Sequence, residues 1–219
     1  MRTITEFELE NCIEKDIIRT PTLRVAGIDQ GRSGLYVIVL DIYSEDTEYE
    51  VVQRHLYSAK HLHHSDLIKY LNDENVNIGC FDNEPDRNLA YHLTNEYEGL
   101  HLIDSRSRLD FPIMDSTIFE SGKRLPCKLI QSEFFRKQAF ENFFRNGYGA
   151  TGIKIPESFN THNYRQDISS PLHHFMSIGF EEESNKFHKI IPNDNFFDAL
   201  VYAESALYMA TRYNKHFEK

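Results

Sequence analysis

The apolar positions change period several times along this chain, and each change predicts an element. Residues 23–29, LRVAGID, form a mostly apolar run ended by Gln30-Gly31; residues 35–43, LYVIVLDIY, are a second β-rich run, and residues 49–57, YEVVQRHLY, alternate as a third. Such runs read as strands, and the short spacers between them predict an antiparallel meander. Ser65-Asp66 then caps a short helix through Leu71, and residues 76–82, VNIGCFD, form a buried strand closing on Asp82. A helix over 86–97 and a strand over 100–104, LHLID, complete a strand-helix-strand-helix alternation, which requires parallel pairing. The pattern predicts an α/β fold with a mixed sheet: three antiparallel strands extended by two parallel ones, flanked by helices.

Beyond residue 104 the pattern is clear in two places. Ser132 is a suitable N-cap for an amphipathic helix running to Gly147, with Phe134, Phe135, Ala139, Phe143 and Phe144 as its core positions. Asn193 or Asp194 caps a last helix whose Ala199, Leu200, Ala203, Ala206, Leu207 and Ala210 form a small-residue face that can lie close against a sheet. Between them, the sequence predicts a helical turn or two at 171–176 and a hairpin in GFEEESNKFHKII. Residues 1–22, closing with Thr20-Pro21-Thr22, read as a lead-in or linker, and 23–219 as one domain.

Composition narrows the setting. At 40 % hydrophobic and 26 % charged, the chain can bury a substantial core. No apolar run approaches the roughly 20 residues that a membrane helix needs, so no membrane partner is expected. Cys12, Cys80 and Cys127 are odd in number and far apart, which fits a reducing cytoplasm rather than a disulfide framework. The net charge of -10 argues against bulk electrostatic binding to nucleic acid, but residues 104–154 hold nine Lys/Arg against six Asp/Glu. A DNA-facing surface is therefore expected in that segment, where Arg106, Arg108, Lys123, Arg124 and Lys128 surround a possible loop and can grip phosphates. Solubility explains the same charges about as well. His61, His63 and His64 have no further ligand at zinc spacing and read as an exposed loop or helix start.

The candidate chemistry lies in the acids. The predicted topology brings Asp29, ending the first strand, beside Asp82, ending the fourth, and the last helix delivers Asp194 or Asp198 opposite them. Asp194 and Asp198 are four apart and share a helix face. Clustered carboxylates resist burial unless a cation neutralises them, and Mg2+ or Mn2+, expected as two ions in a phosphodiester hydrolase, suits an all-oxygen set. Each acid also has a plain structural explanation. Asp29 can open a turn with Gln30-Gly31, Asp82 can cap a loop or helix, Asp194 is a good N-cap, and Asp198 can be a satisfied polar neighbour.

In this order and on these elements, the motifs resemble the nuclease domain of the large terminase subunit of tailed bacteriophages, a member of the ribonuclease H-like superfamily. VAGIDQG resembles that family's first strand with its first metal-binding aspartate at Asp29; GCFDNEPDRNLAYHLTNEYEGLHLID resembles the strand, helix and strand carrying the second at Asp82; PNDNFFDALVYA resembles the segment that opens the last helix with the third acid. The resemblance spans about residues 23–210. It implies a ribonuclease H-like fold and a catalytic set of Asp29, Asp82 and Asp194, with Asp198 as the competing third ligand. It further implies an endonuclease that cuts concatemeric double-stranded viral DNA during packaging. Its partners would be an ATPase motor, a small terminase subunit and a portal, in the host cytoplasm if the chain is viral. Many relatives carry two adjacent acids or Asp-His at the third position, whereas Asn195 follows Asp194 here. No GxxxxGK[ST] phosphate loop occurs, so the motor is expected outside this sequence.

Two other functions fit parts of the same pattern. GIDQGRSGLYVIV also looks like the first phosphate-binding hairpin of actin and sugar-kinase nucleotide-binding proteins, although no second glycine-rich hairpin follows. A catalytically silent module docking on a packaging motor through its acidic face would need no metal at all.

Overall fold

The computed structural model describes residues 1–14, 20–44, 51–107, 109–120, 122–145, 152–159 and 167–213. The three leading apolar runs become β3 (Leu23–Gly31), β4 (Gly34–Ser44) and β5 (Val51–Leu62), preceded by β1 (Arg2–Thr3), α1 (Glu6–Cys12) and β2 (Ile13–Glu14). Next come α2 (Leu67–Asp73), β6 (Ile78–Asp82), α3 (Arg87–Glu96), β7 (Leu100–Arg106), β8 (Ile113–Glu120), β9 (Lys123–Gln131) and α4 (Ser132–Glu141). The chain closes with β10 (Ile153–Pro156), α5 (Pro171–Phe175), β11 (Ile178–Glu181), β12 (Lys186–Lys189) and α6 (Asn195–Tyr208). α4, expected to run to Gly147, ends at Glu141 with Asn142 as its C-cap; Gly147 and Arg108 lie outside the described residues.

The fold is α/β around a mixed nine-stranded sheet of order β2-β10-β5-β4-β3-β6-β7-β9-β8, with β1, β11 and β12 forming a separate three-stranded sheet. β3, β4 and β5 are antiparallel, and β6 and β7 continue from β3 in parallel. The sheet extends further than its sequence pattern predicts. β9 adds a third parallel strand and β8 folds back on it as an antiparallel edge. Lys123, Arg124 and Lys128, expected to surround a loop, therefore lie within strand β9.

Apolar side chains cover both faces of the sheet. Val25, Ile38, Leu40 and Cys80 pack with α4, α5 and α6 on one side, while Ala26, Ile28, Val37, Val39 and Phe81 pack with Leu67, Leu71, Ala90 and Leu93 on the other. That alternation follows from the period of two in β3 and β4. Residues before Leu23, expected as a lead-in, enter the same core through Ile4, Leu9 and Cys12, and Arg2 and Thr3 pair with β11.

α6 is buried nearly all round, as its apolar composition requires. It lies so close to β3 that a Cβ on Gly27 would stand 1.9 Å from the carbonyl oxygen of Ala199 and 2.2 Å from the amide nitrogen of Ala203. A glycine facing small helical residues is what lets the helix backbone rest on the strand. No helix among the described residues is long and apolar enough to cross a membrane.

Candidate functional site: a carboxylate cluster under the last helix

Asp29 and Asp82 come together because β3 and β6 pair in parallel. The pairing ends with Gly27 opposite Cys80 and Ile28 opposite Phe81, and one step further along both strands stand Asp29 and Asp82. Gly27 faces α6, so Asp29, two residues on, faces it too. Asp194 sits at the N-cap of α6, with Asp198 one turn and Tyr202 two turns further along the same face. Three separated segments thereby deliver four carboxylates to one place beneath the helix.

Cap geometry separates the structural explanations from the functional one. Asp86, not Asp82, caps α3, accepting from the Leu89 amide at 3.0 Å. Asp194 occupies an N-cap position but makes no side-chain capping bond. The Phe196 amide instead donates to His174 Nδ1 at 3.3 Å, while the other ring nitrogen of His174 faces the Ile168 carbonyl at 3.0 Å. With His174 doing the capping, the Asp194 carboxylate is left to other partners. Its Oδ1 accepts from Lys189 Nζ at 2.7 Å, and its Oδ2 is buried with no hydrogen-bond partner.

The four acids are not equally compensated. Arg136, from α4, donates to Asp198 Oδ1 at 2.6 Å. Asp82 accepts from the Tyr202 hydroxyl at 3.1 Å. Burial pushes the Asp29 carboxyl well above the usual carboxylate range, and the charges of Asp198, Asp82 and Asp194 push it further, against a smaller opposing effect of Lys189. Burial also pushes Asp82 up to about 7 despite the bond from Tyr202 and backbone N–H groups nearby. Asp198 rises to about 6, again through burial, with Arg136 opposing and Asp194 adding to the rise. These are the signs of negative charge gathered in a poorly solvated place.

On the β4 side an aromatic shelf borders the cluster. Tyr36, paired in register with Asp29, lies 4.5 Å between ring centroids from His61 and 5.0 Å, edge-on, from Phe196. His61 is thus a strand residue in a ring contact, whereas it was expected in an exposed loop or helix start.

The four predicted acids are brought together; the predicted basic set is not. The sheet row through Asp82 runs to Ile103 of β7 and on to Lys128 of β9, so Lys128 shares that row two strands away, where it pairs with Asp115. Arg106 ends β7 and pairs with Asp104. Lys123 and Arg124 open β9, four to five residues before Lys128, which places Lys123 about 16 Å along the strand from that row. Arg136, Lys189 and Tyr202 are the site residues that sequence reasoning did not single out. Only Tyr202 had a visible signal, its spacing of four from Asp198.

The donor set is compatible with a hard divalent cation, being all oxygen, under-neutralised, and holding one buried acceptor that nothing fills. As the side chains lie, no group of three or more His, Cys, Asp or Glu among the described residues is gathered closely enough to hold a metal ion, and two of the four acids are instead engaged by Lys189 and Arg136. Comparison with protein-family models gives no match, and comparison with curated protein sequences gives none either.

Proposed function

We propose that this chain is a metal-dependent DNA endonuclease domain of ribonuclease H-like fold, acting as the nuclease of a phage DNA-packaging terminase. The observation that carries the reading is the convergence of Asp29, Asp82, Asp194 and Asp198 from β3, β6 and α6 onto one buried, under-neutralised site. The strand order β5-β4-β3-β6-β7, antiparallel and then parallel, supports the fold assignment.

In this reading Asp29 and Asp82 hold the cation from the sheet, and Asp194 or Asp198 holds it from the helix. When bound, Mg2+ or Mn2+, as one or two ions, activates a water and stabilises the leaving 3′-oxygen during phosphodiester hydrolysis. The chain's own contribution is to fix its ligands before substrate arrives. Tyr202 sets the rotamer of Asp82, Arg136 anchors Asp198, and the close seat of α6 on Gly27 sets the depth of the helix acids. Lys128 and Arg106, at the β7–β9 side, are the cations best placed to meet a DNA backbone, with Lys123 and Arg124 reaching a more distant phosphate. The same reading gives the domain a cytoplasmic setting, with the ATPase motor, small terminase subunit and portal as partners.

Conversion of supercoiled plasmid to nicked and linear forms tests it, with Mg2+, Mn2+, Ca2+ or EDTA and with Asp29→Asn alongside. Cutting that requires Mg2+ or Mn2+ and disappears with Asp29→Asn is the expected result. Undiminished cutting by Asp29→Asn would remove that residue from the site.

A further inference from the structure

Two cations serve the two acids of α6, and they are held differently. Arg136 projects from α4, which packs against α6, and its side chain is 29 % exposed where it meets Asp198. Lys189 reaches in from β12 with a side chain 56 % exposed, while the Asp194 side chain it meets is only 2 % exposed. The Lys189 backbone is fixed by pairing with Ile178, and the next residue, Ile190, donates its N–H to the Ser177 carbonyl at 2.7 Å. Only the ammonium and its stem need move for this pair to open.

The costs on the two sides are unequal. An ammonium already half in solvent returns to water at little cost, whereas a buried carboxylate left alone is expensive. Asp194 therefore keeps some cation against it at all times. Lysine suits exchange, being a hydrated point charge on a rotatable stem; a planar guanidinium such as that of Arg136 suits a permanent anchor.

We infer that Lys189 is a built-in counter-cation that competes with a divalent metal ion for Asp194, so that metal loading proceeds by exchange with the Lys189 ammonium. The inference rests on the metal-site reading above. It makes Lys189 a positioning residue for the empty form of the cluster, keeping the α6 acids in place without an ion, and it makes metal affinity weaker than the four carboxylates alone would give. A purely structural ion pair between hairpin and helix has the opposite consequence, because losing it would loosen α6 and weaken metal binding.

The test is Mn2+ binding by the full chain, followed through the paramagnetic resonance of free Mn2+, in the wild type, Lys189→Met, Lys189→Gln, Lys189→Arg and Lys186→Met. Lys189→Met is expected to bind Mn2+ about three- to tenfold more tightly than wild type, the range for a pair with one exposed and one buried partner. Lys189→Gln supplies a second neutral side chain should the methionine variant fold poorly. Lys189→Arg, which keeps the charge at the site in a form that anchors more firmly, binds Mn2+ no more tightly than wild type, and Lys186→Met, which controls for charge on the hairpin, stays near wild type. Wild-type binding with equal or weaker binding by both neutral variants overturns the exchange while leaving the metal site standing. Tightening by Lys189→Arg as large as that by Lys189→Met overturns it too. Failure of every form to bind Mn2+ removes the metal site itself, and the exchange with it.

Discussion

Gly27 is the point where a single methyl group should do the most harm. An added Cβ would lie 1.9 Å from Ala199 O, 2.2 Å from Ala203 N and 2.8 Å from Tyr202 C, and all three are backbone atoms of α6. Ordinary contact begins at 3.4 Å, so Gly27→Ala must part the helix and β3 by about 1.5 Å. A flexible side chain can swing away from such a clash, but a helix backbone packed on all sides can only move as a body. Overpacking typically costs 1–3 kcal/mol, and this case belongs at or above the upper end, about 3 kcal/mol. The alanine's entropic advantage in the unfolded chain returns less than about 1 kcal/mol. For a chain of this length the loss corresponds to a melting temperature lower by about 6–12 °C. Gly79→Ala is the matched comparison, since its nearest neighbour, at 2.8 Å, is the Cδ1 end of Leu100. That side chain can turn aside, and the expected cost is under about 1 kcal/mol. Urea denaturation followed by circular dichroism measures both. If Gly27→Ala unfolds within about 0.5 kcal/mol of wild type, the close seating of α6, and with it the depth assigned to Asp194 and Asp198, is wrong.

Other consequences follow from the same contacts. Because Asp82 sits near 7 in the folded protein and near 4 when unfolded, the native state holds its proton between those values, so its contribution to metal-free stability falls as pH rises from about 4 to about 7 and is constant outside that window. Urea midpoints should fall more steeply across that window in the wild type than in Asp82→Asn, which keeps only the slope from Asp29 and Asp198; parallel curves would contradict the shift. Tyr202→Phe removes the 3.1 Å bond to Asp82 and should cost about 1 kcal/mol while weakening Mn2+ binding, and unchanged binding would deny Tyr202 its orienting role. Arg54→Met takes the 2.8 Å ion-pair partner from Glu204, which is 1 % exposed and otherwise accepts from Asn142 at 2.9 Å, and should destabilise by about 3 kcal/mol or more in chemical denaturation.

The centre of the fold was legible because its signals are local. β3, β4, β6 and β7 are apolar runs bounded by Gly, Asn or acidic residues, and α6 carries an unbroken small-residue face, so runs and their spacers gave both the strands and their directions. The acids were legible for the same reason: each ends or begins an element whose place in the sheet follows from chain order. The hairpin β8–β9 was not. β8 buries only Ile113 and Ile118, five residues apart and therefore on opposite faces, so this edge strand has too few apolar positions to show an alternation. β2 and β10 are two and four residues long, too short for any pattern, and exist only because neighbours pair with them. Arg136 and Lys189 gave no sign of their role, since an arginine inside an amphipathic helix and a lysine in a hairpin look like surface residues until tertiary packing aims them at Asp198 and Asp194.

The most direct test of the central claim is a crystal soaked in Mn2+, with the ion located by anomalous scattering. Density within coordination distance of Asp29 and Asp82, with Asp194 or Asp198 completing the set, is the predicted result. Manganese found elsewhere, for example at the His61, His63 and His64 segment, or no bound manganese at a concentration that supports DNA cleavage, would contradict the assignment of the carboxylate cluster as the catalytic centre.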